Sequence, residues 1–450
     1  MNVRRISCAL LLFVALSGLS RCRCETSDVS DLRPDCGGRY GLTGLFAGSK
    51  PNEFFVLGNL PGTASKVIYK GDIRGNTVVP IGDGSYDIWL RHTCFIDVGG
   101  FLYARVSLPG ERNGRICRIN LVNGKMEDLA SIDRGIDGVC PSPCDGRMAG
   151  LVGAKNRVLL AIFRQDYPDG GTILTGVVPG QPGIIGAWGH SPWMAWSRDA
   201  QWIAFPGSIA AYYWMERVPE QCAGVALSST AAEAPGVSLG STCVKETRLV
   251  SDAGTIVLCR LKDGLAIPLF CGGASVLEND GLFFGADDCL YYCTSTVDHS
   301  IFYPLQWEGP TRITGFVWKK FSPETLASAD VVAINVRQIT GKDSIEGLKT
   351  NVFTFPSPDF SRIVSVHYSQ RVSYKLFSVE GGAAKEMATL KYGTATVADY
   401  QFINSVAWLP DSSAFVTNGG EFLTVYDRDG NIQKEISPPK PSTAPTAGGL

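Results

Sequence analysis

The sequence has almost no excess charge of either sign. Its 41 Lys and Arg residues are nearly balanced by 43 Asp and Glu residues, which leaves a net charge of −2. Proteins that bind nucleic acids normally show a basic surplus or a basic patch. The composition therefore argues against nucleic acid as a partner.

Short catalytic motifs are also lacking. The chain lacks the α/β domain that carries the Gly-x-Ser-x-Gly elbow of a hydrolase, and it has no Ser-x-Asp-x-Gly-x-Thr-Trp turn of a sialidase and no GxxxxGK[ST] phosphate loop. Histidine is scarce, and none of the four residues lies beside a nucleophile–carboxylate set: His92, His190, His299 and His367. We expect these histidines to be turn or core residues, and we predict no cofactor.

A long apolar run occurs only at the start of the chain. Arg4 and Arg5 precede the apolar residues Ile6–Leu16, and small residues follow, an order typical of a secretory signal peptide. The run is shorter than the roughly 20 residues of a membrane-spanning helix. We therefore predict that residues 1–20 are removed and that no span remains, with a retained membrane anchor as the alternative.

Cys22 offers a second way in which an exported chain could begin. Leu19–Cys22 resembles the bacterial lipoprotein signal, with Leu three residues before the cysteine, although Arg21 stands where that family has a small residue. The resemblance implies a lipidated Cys22 and an anchor in the membrane surface.

Cysteine is plentiful in the first two thirds of the chain and missing from the last third. All fourteen cysteines lie at or before Cys293, and such a number is typical of an oxidising compartment. The odd number left after cleavage implies an unpaired thiol or a lipidated Cys22. Two pairs with equal spacing, 140/144 and 289/293, would also suit zinc. Export favours disulfides over a metal site or free buried thiols, and the candidates are Cys94, Cys117, Cys140, Cys144, Cys222, Cys243, Cys259, Cys271, Cys289 and Cys293.

Glycine-containing turns recur between short apolar segments. With 51 Gly and 10% aromatic residues, the composition fits many strands joined by tight turns. The turn glycines are about 50 residues apart, and two longer gaps leave room for further hairpins near Arg217–Gly224 and Val297–Ser300. Six hairpins are predicted: Lys66–Ile81, Arg115–Ile132, Ile162–Val178, Thr255–Phe270, Ser373–Leu390 and Phe422–Ile436.

A second repeated element is a corner built around an aspartate. Asp199, Asp359 and Asp411 each follow an aromatic residue and precede an apolar strand, and a short Asp side chain can bond the backbone two residues on. The last two are 52 residues apart and the first two 160, close to three such steps. Two β-sandwiches would also show regular hairpins, but this period predicts an all-β protein: a single β-propeller of about seven or eight four-stranded blades.

The corners also resemble those of a known family. Trp196–Asp199 followed by Ile203–Phe205 resembles the WD-like repeat of TolB-type propellers, and Ser357–Asp359 and Trp408–Asp411 are further copies. Because such propellers are commonly exported and bind other proteins, the resemblance implies this fold and a binding role. The family usually has Gly after the Asp, where this chain has Ala200, Phe360 and Ser412.

The expected domain organisation is simple. Residues 1–20 form the signal peptide, 21–40 an N-terminal lead-in, 41–437 the propeller and 438–450 a disordered Pro/Ser/Thr-rich tail. Residues 318–350 are longer than a blade loop needs, and Ser322–Ala329 predicts a short helix capped by Ser322. We expect this insertion to contribute to binding, since long loops on a rigid scaffold often do.

The densest aromatic region provides the candidate binding surface. Trp196 and Trp202 fall inside the repeat and are expected in the core, whereas the others could reach a surface, where aromatic residues form interaction hot spots. These others are Trp188, Trp193, Tyr212, Tyr213 and Trp214.

The sequence as a whole predicts an exported, monomeric binding or scaffolding module of a bacterial envelope. It would be periplasmic or secreted, with envelope or extracellular proteins as partners, no metal and no catalytic residue that sequence spacing reveals. The alternative is a propeller enzyme, a lyase or a glycan hydrolase, whose active site lies in the central channel. Its residues would come from different blades, so they would leave no local motif.

Overall fold

A computed structural model shows the protein as a nearly all-strand structure, and the residues described below all fall in the compact unit Tyr40–Leu450. The structure describes residues 45–48, 50–59, 66–81, 87–88, 95–96, 99–107, 115–129, 136–154, 157–164, 167–173, 176–178, 181–187, 194–212, 215–216, 243–244, 247–249, 255–270, 282–297, 312–346, 352–368, 372–391, 406–418 and 422–437.

The strands form seven antiparallel units of four, which we number as blades 1 to 7 in chain order. Blade 1 contains β1 (Leu45–Ala47), β2 (Glu53–Asn59), β3 (Lys66–Asp72) and β4 (Thr77–Ile81). Blade 2 has an interrupted first strand and contains β5 (Asp87–Ile88), β6 (Phe95–Ile96), β7 (Phe101–Ser107), β8 (Arg115–Asn120) and β9 (Met126–Asp128). Blade 3 contains β10 (Ile136–Pro141), β11 (Arg147–Ala154), β12 (Arg157–Arg164) and β13 (Tyr167–Ile173).

Additional short strands accompany the middle blades. Between blades 3 and 4 lie β14 (Gly176–Val178) and β15 (Gln181–Ala187). Blade 4 contains β16 (Ala195–Trp196), β17 (Trp202–Tyr212), β21 (Thr255–Arg260) and β22 (Ala266–Phe270), and it carries the inserted strands β18 (Met215–Glu216), β19 (Cys243–Val244) and β20 (Thr247–Leu249).

The last three blades are the most regular. Blade 5 contains β23 (Leu282–Phe284), β24 (Leu290–Val297), β25 (Arg312–Ser322) and β26 (Ala327–Asn335), followed by helix α1 (Val336–Thr340) and β27 (Ile345–Glu346). Blade 6 contains β28 (Val352–Pro356), β29 (Arg362–Tyr368), β30 (Val372–Glu380) and β31 (Ala383–Thr389). Blade 7 contains β32 (Val406–Trp408), β33 (Ala414–Asn418), β34 (Leu423–Asp427) and β35 (Ile432–Ile436).

Seven apolar clusters join the blades into a closed ring. Six clusters each lie between blades that follow one another in the chain. The seventh packs Val416 and Leu423 of blade 7 against Leu45, Phe54 and other residues of blade 1. Because the last blade packs on the first, the chain is a β-propeller, and the predicted all-β propeller fold is confirmed.

Side chains alone close the ring within the described part of the chain. Blades 1 and 7 each take their four strands from one continuous stretch. Besides the apolar cluster, Lys434 Nζ on β35 donates to the carbonyl oxygen of Ile73 at 2.6 Å. This bond ties the outer strand of the last blade to the β3–β4 turn of the first.

The aspartate corner predicted at three positions is confirmed, and the structure shows further copies. At Asp199, Asp359 and Asp411 the carboxylate accepts the backbone N–H two residues on, at 3.0–3.1 Å. Asp145 and Asp287 accept N–H groups in the same way. In each corner the next residue has a positive φ, and these residues are Gly146, Ala200, Asp288, Phe360 and Ser412.

The spacing of the corners corrects one step of the sequence analysis. Between Asp199 and Asp359 the structure has one corner, at Asp287, so these residues are two blades apart and not three. The inserted strands β18, β19 and β20 make blade 4 longer than the period. The described residues therefore form seven blades.

Five of the six predicted hairpins are confirmed: β3–β4, β8–β9, β21–β22, β30–β31 and β34–β35. The sixth turns earlier than predicted, because β12 ends at Arg164 and Gly170 lies inside β13. Two further hairpins were expected near residues 217–224 and 297–300. Apart from Val297, these residues lie outside the described part of the chain.

The helix predicted from Ser322 to Ala329 is wrong. Ser322 ends β25 and Ala327 begins β26, so the segment is the tight turn of a hairpin. The Ser322 hydroxyl accepts the Thr325 N–H. A bond of this kind can stabilise a tight turn as well as the first turn of a helix. The helix of this region is α1, which begins after Asn335 with a capping box to Gln338.

Two tryptophans at the corners tie neighbouring blades together. Trp196 Nε1 of blade 4 donates to the carbonyl oxygen of Cys140 in blade 3, and Trp408 Nε1 of blade 7 donates to that of Phe355 in blade 6, both at 3.0 Å. The same bond therefore recurs at equivalent places, which explains why a tryptophan precedes the corners at Asp199 and Asp411.

Replacing Trp408 with Phe is expected to lower the free energy of unfolding by roughly 1 kcal/mol, because the carbonyl oxygen of Phe355 loses its buried donor. Equilibrium unfolding in urea, followed by circular dichroism, measures the change. Trp202→Phe is the matched control, since the half-buried Trp202 ring packs under Arg260. Equal losses in both variants would contradict the role of the indole bond.

Candidate functional site

The two ends of the ring differ in the length of their connections. At one end, which we call the corner face, short turns such as residues 48–52, 285–289 and 409–413 follow the first strand of a blade. At the other end, the loop face, the connections follow the second and fourth strands. The connection from β24 to β25 spans residues 298–311, and β17 and β21 are separated by residues 213–254.

The described elements outside the blades extend from the loop face. The second half of β17 continues beyond blade 4, where Gly207–Ala211 pairs with β15. β20 pairs with the end of the same strand, and β14 pairs with β15. These strands form a small antiparallel extension of blades 3 and 4.

The five predicted binding aromatics lie in the chain beside this extension. Trp188 follows β15, Trp193 precedes β16, and Tyr213 and Trp214 come between β17 and β18; these four lie outside the described residues. Tyr212 is the last residue of β17, and its backbone pairs with Thr247. All five belong to connections whose strand ends are at the loop face.

The two aromatics assigned to the core behave differently from each other. Trp196 is 7% exposed and packs between blades 3 and 4. Trp202 is half-buried against the junction of blades 4 and 5. Both lie within the blade, as predicted.

The structure divides the region from residue 318 to 350 into two parts. Trp318–Asn335 belongs to the third and fourth strands of blade 5, so only residues from Val336 onward leave the blade. Helix α1 buries Val336 and Ile339 between blades 5 and 6. Gln338 Nε2 donates to the carbonyl oxygen of Ala384 at 2.8 Å, which fixes the helix to blade 6.

The outer strands of blades 5 and 6 are also joined. β26 and β31 pair in parallel at Ala333 and Ala383, and the Ala333 N–H donates to the carbonyl oxygen of Gly382 at 3.0 Å. The junction of blades 5 and 6 is therefore held by this strand pair at its outer edge and by α1 at the loop face.

The innermost strands use their side chains for packing between blades. Their described residues are apolar apart from Thr354, and none of these described side chains is charged. Thr354 itself accepts the Trp318 Nε1–H at 3.0 Å. Asp87 and Asp137 lie on inner strands of blades 2 and 3, and their side chains are outside the described residues.

Two ion pairs on the corner face join blades 6 and 7. Arg428 bridges to Asp359 across blades 7 and 6 at 3.0 Å, and Arg362 bridges to Asp429 at 3.1 Å. Partial burial opposes ionisation of Asp359, but hydrogen bonds from Ser357 and Ser361 and the Arg428 charge lower its pKa to about 2. These carboxylates thus hold the corners together.

Asp287 shows the same use of a carboxylate in blade 5. It pairs with Lys320 and accepts the Tyr291 hydroxyl at 3.0 Å. Partial burial opposes ionisation, yet these bonds lower the pKa of Asp287. Asp287 and Asp288 are both exposed in the turn between β23 and β24.

The described candidate cysteines are mostly buried. Cys117, Cys140, Cys259, Cys289 and Cys293 are buried, whereas Cys144 is exposed. Burial raises the pKa of Cys140 and raises that of Cys259 to about 12. Cys94, Cys222, Cys271 and the Cys243 side chain lie outside the described residues.

Four of the described cysteines form no disulfide with another described residue: Cys140, Cys144, Cys259 and Cys289. Within the same ranges, no three His, Cys, Asp or Glu side chains are grouped as metal ligands. The disulfide pattern stays a prediction.

Within the described residues, no helix is both long and apolar enough to cross a bilayer.

No family model and no curated protein matches the sequence. Among solved structures, the chain is similar to the β-propeller domain of Cps50 (Swd1) from Myceliophthora thermophila, with 9% identity, a TM-score of 0.46 and coverage of 87% of this chain and 97% of that one. It is also similar to TolB from Acinetobacter baumannii, with 10% identity, a TM-score of 0.36 and coverage of 89% and 80%.

An oligogalacturonate lyase in complex with manganese is a third similar structure, with 13% identity, a TM-score of 0.42 and coverage of 87% and 85%. Identities this low concern the fold alone, and TM-scores below 0.5 carry no argument about function.

Proposed function

We propose that the protein is an exported β-propeller that binds other proteins of a bacterial envelope through its loop face. It is TolB-like in the type of its repeat, acts as a binding or scaffolding module and is periplasmic or secreted. The observation that carries this proposal is the division of the ring into a face of short corners and a face of long connections.

Several polar groups of the corner face are already bonded between blades. Arg147 of blade 3 donates to the carbonyl oxygen of Ala200 in blade 4 at 2.8 Å, and Arg198 of blade 4 donates to that of Ala286 in blade 5 at 3.3 Å. In these two bonds and in the Asp359–Arg428 ion pair, the polar groups bind a neighbouring blade. The predicted aromatics Trp188, Trp193, Tyr212, Tyr213 and Trp214 belong instead to the loop-face connections, where function is commonly located.

The inner strands favour the binding module over a propeller lyase or glycan hydrolase. A channel enzyme needs polar groups that converge from several blades. The described inner-strand side chains are instead apolar and packed between blades, as with Trp196 and Trp408. A scaffold needs this rigidity and no converging groups.

Site-specific photo-crosslinking in the native host tests the proposed face. A crosslinker at Tyr213 is expected to yield discrete protein adducts, because this position belongs to the proposed surface. The same group at Asn123, an exposed residue of the β8–β9 turn on the corner face, is the matched control.

Trp193→Ala together with Trp214→Ala should reduce the adducts at position 213 at least tenfold, as expected when hot-spot aromatics worth about 2 kcal/mol or more are lost, without changing the urea midpoint. Adducts that form equally at both positions, or that survive the double substitution, would contradict binding at the loop face.

Intact-mass analysis of the mature protein tests export. A chain that starts near Arg21, with most cysteines resistant to alkylation, supports signal cleavage and disulfides. A start at Cys22 with added acyl mass supports the lipid-anchored form. Retention of residues 1–20 with every cysteine alkylated would overturn export.

A further inference from the structure

We propose that protonation of His367 releases helix α1 from the junction of blades 5 and 6, which makes this part of the loop face sensitive to acid. The inference concerns a conformational change and does not depend on the proposed binding function.

His367 lies on β29, a strand that packs against α1. Side chains alternate along a strand, so His367 is on the same face of β29 as Ile363, which packs in the cluster that also contains Val336 and Ile339 of α1. Its cross-strand partner Val352 is in that cluster too. The imidazole is half-buried beside these apolar contacts.

The charge that acts on the imidazole is positive. Burial lowers the pKa of His367, and the nearby Lys342 ammonium lowers it further. Lys342 directly follows Gly341, the residue that ends α1 in a left-handed conformation with φ 77°. A proton on His367 would therefore add a second positive charge next to the end of the helix.

The other charged groups described around α1 have bonding partners of their own. Arg337 pairs with Asp343 at 3.4 Å, and both side chains are more than 70% exposed. Lys375, on the neighbouring strand β30, donates to the carbonyl oxygen of Gln338 and pairs with Glu386. β28 has no charged residue, and the side chains of Arg312 and Glu346 lie outside the described residues.

The helix is short enough to be released without loss of the blade. Five residues do not form a stable helix by themselves, so α1 depends on the burial of Val336 and Ile339 and on the bonds that join Gln338 to Ala384 and Lys375 of blade 6. A released segment leaves His367 in water, where its pKa is about 6.5. Below that pH the open form binds a proton that the closed form resists, so opening increases by at most about tenfold per pH unit.

Hydrogen exchange of the full-length protein at pH 7.5 and 5.5, corrected for intrinsic rates, tests this proposal. Amides of residues 336–341 should exchange up to about tenfold faster at pH 5.5, while those of β34 in blade 7 should not change. His367→Gln should abolish the pH dependence of α1.

Lys342→Gln is a second variant that should fold normally, since Lys342 is exposed. It should reduce the acid effect, because the closed form then tolerates a charged imidazole better. An acid effect that remains unchanged in both variants, or protection of α1 that is equal at both pH values in the unaltered protein, would overturn the proposal.

Discussion

Trp318→Ala is expected to lower the free energy of unfolding by about 3–5 kcal/mol, the usual range for removing a large buried aromatic side chain. Trp318 is fully buried in the cluster between blades 5 and 6. The centroid of its ring lies 5.8 Å from that of Phe360, which it meets edge-on, and 6.1 Å from that of Phe283. The neighbouring strands are paired on both sides of β25, so they can collapse only partly into the cavity.

Two other variants separate the contributions of Trp318. Thr354→Val keeps the volume of the side chain but removes the acceptor of the Nε1–H, and it should cost about 1–3 kcal/mol as an unsatisfied buried donor. Lys319→Ala, on the same strand but paired with the exposed Asp330, should cost less than about 0.5 kcal/mol. Urea unfolding that ranks the three variants in another order would contradict this account.

Gly71→Ala is expected to have the second-largest effect, at the closure of the ring. A Cβ atom on residue 71 would lie 2.0–2.4 Å from three ring atoms of Phe54, whose side chain is fully buried between blades 1 and 7. The ring must therefore move within a packed cluster, and overpacking of this kind costs about 1–3 kcal/mol or more.

Gly75→Ala is the control in the same hairpin. Gly75 is exposed, and an added Cβ would come no closer than 3.3 Å to the Asp72 side chain, so we expect a change below about 0.5 kcal/mol. Phe54→Leu combined with Gly71→Ala should cost less than the sum of the two single changes, because the clash is removed. Strict additivity in urea unfolding would show that Phe54 is not the obstacle.

The hairpins and corners could be predicted because they depend on local chemistry. Asn-Gly and Asp-Gly pairs adopt positive φ without help from distant residues, as at Gly124 and Gly264. The corners at Asp145 and Asp287 were missed because their neighbours Cys144 and Asp288 do not resemble the aromatic-Ser-Pro-Asp pattern. Their backbone geometry is nevertheless the same.

The errors of the sequence analysis come from tertiary structure. Ser322 reads as a helix cap by its own chemistry, yet the pairing of β25 with β26 converts the segment into a turn. Blade 4 breaks the 50-residue period because strands are inserted after Tyr212. Neither the pairing of β26 with β31 nor the packing of α1 against β29 leaves a trace in the sequence, since the partners are about 50 and 30 residues apart.

The side chain after the corner aspartate shows why glycine is not required there. Phe360 adopts φ 55° and stacks on Tyr291 of the preceding blade at 4.6 Å. Ser412 adopts φ 58° and accepts the Asp359 N–H at 3.2 Å with its hydroxyl. A contact with the neighbouring blade offsets the left-handed backbone at both positions.

The contiguous first and last blades have a consequence for the order in which the chain can be connected. Since no described strand is exchanged between blades 1 and 7, no described strand is divided when the chain is reconnected at the seam between them. The ring is therefore permutable: Ser437 joined to Leu45 by a linker, with new termini between β31 and β32, would keep every blade intact. The same modularity allows such a ring to gain or lose blades one at a time during evolution.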